Sequence, residues 1–117
     1  MDSMFRWCSN ITSVDLSNFD TSKLSYEYDM YAMFSMCTSL ISINLSNFDT
    51  SKATNMGGMF AYNSNLTTIK GVIDMRSCTD YAMMFYNCPK LSGVKIKNPP
   101  AGFDGAGLSS SQYTIVL

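Results

Sequence analysis

The sequence predicts an α/β fold: a right-handed solenoid of about four short coils, with a parallel β-sheet on one wall and short helical turns on the other. Three observations predict it. The octapeptide LSNFDTSK occurs at residues 16–23 and again, unchanged, at residues 45–52. Met-Phe pairs recur as Met4-Phe5, Met33-Phe34, Met59-Phe60 and Met84-Phe85. Apolar residues follow each pair at one spacing: Ile11, Leu40, Leu66 and Leu91, then Val14, Ile43, Ile69 and Val94. Self-similarity with a period of roughly 20 to 50 residues marks stacked repeats.

The register divides the chain into units at about 1–23, 24–52, 53–77 and 78–97, followed by a Pro/Gly/Ser segment and a closing β-prone run, QYTIVL, over 98–117. In each unit Ile11, Val14, Leu16 and their equivalents end in the alternation of a strand with one face inward. Ile96 aligns with Leu16 and Leu45. The third unit is one residue short, so Ile73 takes the place of Phe19 and Phe48. Met56, Met59, Phe60 and Asn63 are spaced by three or four, which suits a turn or two of α or 3₁₀ helix on the opposite wall. In the octapeptide, Leu16/Leu45 and Phe19/Phe48 point to the core, while SN and DTS carry side chains that bond nearby backbone at corners.

One such coil cannot stand alone. It buries about six side chains at roughly 1.5 to 3 kcal/mol each, against an ordering cost of about 1.5 kcal/mol per residue. Stacking in a parallel ladder about 4.8 Å apart lets each coil bury its apolar edges on its neighbours. Asp20, Asp49 and Asp74 then form a column near Lys23 and Lys52, read as corner structure with a Ca²⁺ column as the alternative.

These residues resemble the BspA-like leucine-rich repeats of bacterial surface proteins, in the branch built on LSNFDTSKVTNMxxMFxxCxSL. The likeness covers about residues 1–97 and is densest over SLISINLSNFDTSKATNMGGMF, residues 39–60. It implies a leucine-rich-repeat-like solenoid at the cell surface or outside the cell, acting in adhesion or protein recognition without catalytic residues. The third unit, LTTIKGVIDMRSCTDYAMMF, departs from it by losing the octapeptide and by carrying Asn63 where Cys8, Cys37 and Cys88 stand in the others.

Composition narrows the function classes. A net charge of −1 leaves no broad basic surface for phosphates, so nucleic acid is not an expected partner. No apolar run approaches the roughly 20 residues that span a bilayer. The chain has no histidine, so the usual general base of Ser-His-Asp and Cys-His sites is missing, and no enzyme activity is expected. The four cysteines form no C-x-x-C, and neither a metal nor a cofactor is expected. At their shared position Cys and Asn both donate hydrogen bonds, so a buried donor ladder is the reading, with a Cys8–Cys37 disulfide as the alternative.

Two surfaces are candidates for a protein or glycan ligand. Ser13, Asp15, Ser42, Asn44, Thr68, Lys70 and Lys95 face outward from the strand wall. An insertion in LSYEYDMYAMF (24–34) brings Tyr26, Tyr28 and Tyr31 together beside Glu27 and Asp29, and Tyr gives contact area at low entropy cost. Ordinary solvated sheet and a packed loop are the plain alternatives. Met1 aligns with core Met56, so a preceding domain or another copy stacked end to end is expected to cover the first coil. The competing function is structural: a self-assembling component of an extracellular fibre or a virion, joined through coil ends.

Overall fold

A β-branched or leucine side chain every coil, always at the same place, builds the first sheet. In the computed structural model, which describes residues 5–19, 21 and 30–117, β1 (Ser13–Asp15), β2 (Ser42–Asn44) and β3 (Thr68–Lys70) pair in parallel in the order β1-β2-β3. The register puts Val14 beside Ile43 and Ile43 beside Ile69, all pointing inward. Residues on either side point outward, as the two-residue period of a strand requires.

The ladder breaks once, at Gly71. Its φ is 104°, and a Cβ there would lie 2.9 Å from the carbonyl carbon of Leu45. Only glycine lets the chain pass so close in the left-handed region. The strand resumes as β4 (Val72–Asp74), which joins β5 (Val94–Lys97) and β6 (Tyr113–Val116) in a second parallel sheet, order β4-β5-β6.

The register across this break clarifies two equivalences. Ser51 donates its N–H to the Asp49 carboxylate, and Arg76 donates in the same way to Asp74, so Ile73 stands where Phe48 stands one coil earlier. Ile96 pairs with Ile73, not with a Leu16/Leu45 equivalent. The residue missing near Gly71 shifts the later strands by one place relative to simple apolar spacing. Beyond β5, residues 98–117 wind a further, shorter coil: β6 lies on β5 in parallel register, and Phe85 donates its N–H to the Ala106 carbonyl.

The wall opposite the first sheet consists of turns, with no α-helix among the described residues. Among the described residues the backbone turns left-handed two residues before Phe34, Phe60 and Phe85, at Ala32, Gly58 and Met83, and two residues after all four file phenylalanines, at Trp7, Met36, Tyr62 and Asn87. Alternate N–H groups therefore point along the stack. Ala32, Phe34 and Met36 donate to Gly57, Met59 and Ala61, while Gly58, Phe60 and Tyr62 donate to Ala82, Met84 and Tyr86. The N–H groups between them close i→i−3 turns, as from Ser35 to Ala32 and from Ala61 to Gly58. The helical turns expected here are thus single turns whose remaining donors bind the next coil.

Inside, like sits above like. Phe5, Phe34, Phe60 and Phe85 form one file, with successive ring centroids 5.4, 5.6 and 5.3 Å apart and planes within 7° of parallel. Such pairs are worth about 0.5–1.5 kcal/mol each beyond the area they bury. Leu40, Leu66 and Leu91 make a second buried file, and Met30, Met33, Met56, Met59 and Met84 are buried too. Phe19 and Phe48 meet at 5.7 Å in a further file. Thr50, buried in the corner, donates its hydroxyl to the Asp74 carbonyl and accepts the Asp74 N–H, which explains the threonine of the octapeptide.

Candidate functional site

The strand wall brings six of the seven predicted residues into two columns. Ser13, Ser42 and Thr68 are adjacent in register, as are Asp15, Asn44 and Lys70. Ser42 and Asn44 are half-buried and the other four exposed. Lys95 is exposed on the second sheet, paired with Val72 and Thr114. It extends the wall without continuing either column.

Part of this surface is already engaged. The Asp15 carboxylate accepts the Ser17 N–H at 2.9 Å, and the Asn44 side-chain oxygen accepts the Ser46 N–H at 3.0 Å. Hydrogen bonds from the Ser17 side chain and backbone hold the Asp15 carboxyl below its usual range, with attraction from Lys70 adding to them. Asp15 and Asn44 thus shape the turn after each strand and present only their remaining lone pairs outward. Thr68, Lys70 and Lys95 are less constrained. Beside them Ile41, 49% exposed, lines a concavity of about 380 Å³ with Ser39, Asn65, Thr67 and Lys90.

The second predicted surface is represented by Tyr31, which is exposed on the turn wall. Tyr26, Tyr28, Glu27 and Asp29 lie outside the described residues, as do Asp20 and Lys23 of the acidic column. In the part of that column that is described, Asp74 is bound by Arg76 at 2.6 Å and by Asn98 at 3.1 Å. Burial alone would raise the Asp74 carboxyl, but the bonds from Arg76 and Asn98 outweigh it and the carboxyl lies below its usual range. Among the described residues no cluster of His, Cys, Asp or Glu is arranged to hold a metal ion. None of their helices is long and apolar enough to cross a membrane.

Stacked coils with a shared file of phenylalanines and parallel strand ladders, seen among the described residues, define a repeat that a family comparison can recognise. The family model described as "Mycoplasma protein of unknown function, DUF285" matches residues 1–98. The chain belongs to the DUF285 family. No curated protein and no solved structure matches it.

Three cysteines of this DUF285 chain, Cys37, Cys78 and Cys88, are buried and donate to backbone carbonyls. Cys37 donates from Sγ to the Phe5 carbonyl at 2.8 Å, Asn63 from Nδ2 to Phe34 at 2.8 Å, and Cys88 from Sγ to Phe60 at 3.0 Å. Each rung ties the file position of one coil to the backbone of the one before. All four cysteines are free thiols. Burial pushes the Cys37 and Cys78 thiols up, and the Cys88 thiol up to about 11, so these remain protonated donors at neutral pH.

The turn wall holds a feature that sequence reasoning missed. Arg6, Tyr31, Met36, Gly57, Gly58, Ala61, Tyr62, Asp80 and Met83 are among the residues lining a concavity of about 360 Å³. A signal for it exists in the register, because the positions of Gly57, Gly58 and Ala61 carry Tyr31, Ala32 and Ser35 one coil earlier, and Ala82, Met83 and Tyr86 one coil later. Each small residue thus has one large neighbour, Tyr31, Met83 or Tyr86, in an adjacent coil, which leaves a valley.

Proposed function

We propose that this DUF285 chain is a non-enzymatic recognition module, related in its repeat to the BspA-like leucine-rich repeats of bacterial surface proteins, that binds a protein or glycan at the cell surface or outside the cell. One observation carries the reading. The inward files repeat, Phe over Phe and Leu over Leu, whereas the outward column of the strand wall runs Asp15, Asn44, Lys70. A repeat that holds its inside constant and varies its outside is suited to presenting a specific surface on a rigid support.

The test is direct. Fluorescently labelled chain is titrated onto host cells and onto immobilised extracellular-matrix proteins, beside a Thr68→Arg/Lys70→Glu double variant whose circular dichroism matches the parent. Saturable binding that the variant loses supports the strand wall as the reading face. Absence of saturable binding to any surface by the parent contradicts the proposal.

A second reading, self-assembly, is favoured by the open ladder. Among the described residues β1 and β6 each pair on one side only, Phe5, Ile11, Val14 and Phe19 are half-buried, and Trp7 is 63% exposed. Unpaired edges of this kind template further strands. Concentration-dependent growth of mass in light scattering, with fibres in electron micrographs, supports this reading, and a constant monomer mass contradicts it.

A further inference from the structure

We propose that the valley on the turn wall is a binding site for an uncharged sugar, one or two rings long, at the end or in the branch of a glycan. The inference rests on the recognition-module reading, and adds to it a different wall, a ligand class and a specificity.

The floor of the valley is a stretch of backbone nearly bare of side chains. Gly57, Gly58 and Ala61 lie on it, and their coil is held on both sides by bonds between coils: Ala32 and Met36 donate to Gly57 and Ala61, and Gly58 and Tyr62 donate to Ala82 and Tyr86. Ala32, Tyr62 and Met83, all on left-handed turns, line the valley beside the glycines. Tyr31 and Met83, 43% and 48% exposed, stand as opposite walls one coil to either side. Tyr62 closes the end, its ring braced edge-to-face against Tyr86 at 5.5 Å and 74°. The site is thus preformed, and its aromatic wall is held in place by a second ring.

The chemistry selects the occupant. Arg6 and Asp80 line the valley with opposite charges; Arg6 is already drawn over the Trp7 ring at 5.7 Å, and Asp80 accepts the Ala82 N–H through Oδ1 at 3.1 Å. A ligand of either net charge meets one attraction and one repulsion, which favours a neutral one. A pyranose ring has an apolar C–H face to lie on the Tyr62 ring and on the glycine floor, and hydroxyls around its rim for the Tyr31 and Tyr62 phenols, the Asp80 carboxylate and the Arg6 guanidinium. Adjacent coils lie about 4.8 Å apart, so a valley three coils wide is about as long as two linked rings. Its volume is at the small end of ligand pockets.

The experiment uses saturation-transfer NMR of the whole chain with a panel of neutral probes: lactose, cellobiose, maltose, N-acetylglucosamine and chitobiose. Transfer to at least one, titrating in the millimolar range, is the result expected. Gly58→Met fills the valley with the residue that Met83 already carries, at φ 58°, at the same place in the next coil; a Cβ at Gly58 meets nothing within 4 Å, so its cost is only that of a side chain on left-handed backbone, and circular dichroism matching the parent checks that the variant folds. It should weaken binding at least tenfold. Tyr62→Ala should do the same, Tyr62→Phe should cost about two- to threefold, and Ser110→Ala, at an exposed position of the last coil outside both surfaces, should change nothing.

No transfer to any probe, or transfer undiminished in Gly58→Met, overturns the inference. Should the sugars fail while cells or matrix proteins bind in a manner sensitive to Lys70, the sugar site falls and the recognition module stands. Should both fail, both fall.

Discussion

Asn63 donates from its fully buried Nδ2 to the carbonyl oxygen of Phe34 at 2.8 Å, one coil away, in the place where Cys88 makes the same bond to Phe60 with a thiol. The amide does more than the thiol, reaching Phe60 and Ala61 as well, but its Oδ1 is buried with no partner. An orphaned buried acceptor costs about 1–3 kcal/mol, and so does a carbonyl stripped of its donor. Asn63→Cys is therefore expected to leave stability within about 1 kcal/mol of the parent, whereas Asn63→Leu lowers it by about 2 kcal/mol or more. Urea unfolding followed by tryptophan fluorescence measures both. Equal losses in the two variants would remove the ladder from the account.

The same ladder predicts the order of thiol reactivity. Cys8 is half-buried, while Cys37, Cys78 and Cys88 are buried and held as protonated thiols, the last raised to about 11. The thiolate is the reactive form. Iodoacetamide at pH 8, with peptide mass spectrometry over time, should label Cys8 first and the other three only at the rate of unfolding. Early labelling of Cys88 would contradict the structure.

Two glycines with positive φ separate conformational strain from collision. Gly58→Ala meets no atom within 4 Å and should cost about 1 kcal/mol, the ordinary cost of a Cβ in the left-handed region. Gly71→Ala places a Cβ 2.9 Å from the Leu45 backbone, at the junction of the two sheets, and should cost clearly more or prevent folding. Thermal melts of the two variants, compared side by side, read the difference. A Gly71→Ala protein as stable as Gly58→Ala would show that the sheet does not break there.

The Asp74 corner should contribute to acid sensitivity, beside Asp15 and Asp49, whose carboxyls are also held below their usual range. The folded Asp74 carboxyl lies below its unfolded value, which is close to 3.8, because of the bonds from Arg76 and Asn98 that outweigh its burial. A depressed carboxyl contributes stability that is fully present above the unfolded value and is lost as pH falls through the folded one. Melting temperature should therefore drop below about pH 4, and Asp74→Asn should flatten that drop while lowering stability at neutral pH. An unchanged acid limb in Asp74→Asn would assign the effect to other groups.

The files and the strand register were legible because stacking forces equivalent positions to meet equivalent neighbours. Phe5, Phe34, Phe60 and Phe85 differ in sequence spacing yet line up in space, and the swap of Cys for Asn at residue 63 was readable from what the two side chains can donate. The pairing of Ile96 with Ile73 was not, since apolar spacing alone does not reveal which residue the chain omits when it crosses at Gly71. The turn wall was harder still. The spacing of Met56, Met59, Phe60 and Asn63 suits helical turns, and it does not reveal the left-handed backbone at Ala32, Gly58 and Met83 that limits them to single turns. On the strand wall the polar residues were correctly placed outward, but the share of Asp15 and Asn44 taken up by Ser17 and Ser46 became visible only with the turns in place.

The stacking of coils in register is the claim beneath all of these, and contacts between phenylalanine rings in solution test it most directly. In NOESY spectra of chain labelled at phenylalanine, the Phe60 ring should show cross-peaks to both Phe34 and Phe85, whose centroids lie 5.6 and 5.3 Å away. Phe34 and Phe85 should show none to each other. A Phe60 ring without contact to either neighbour, or direct contact between Phe34 and Phe85, would contradict the solenoid.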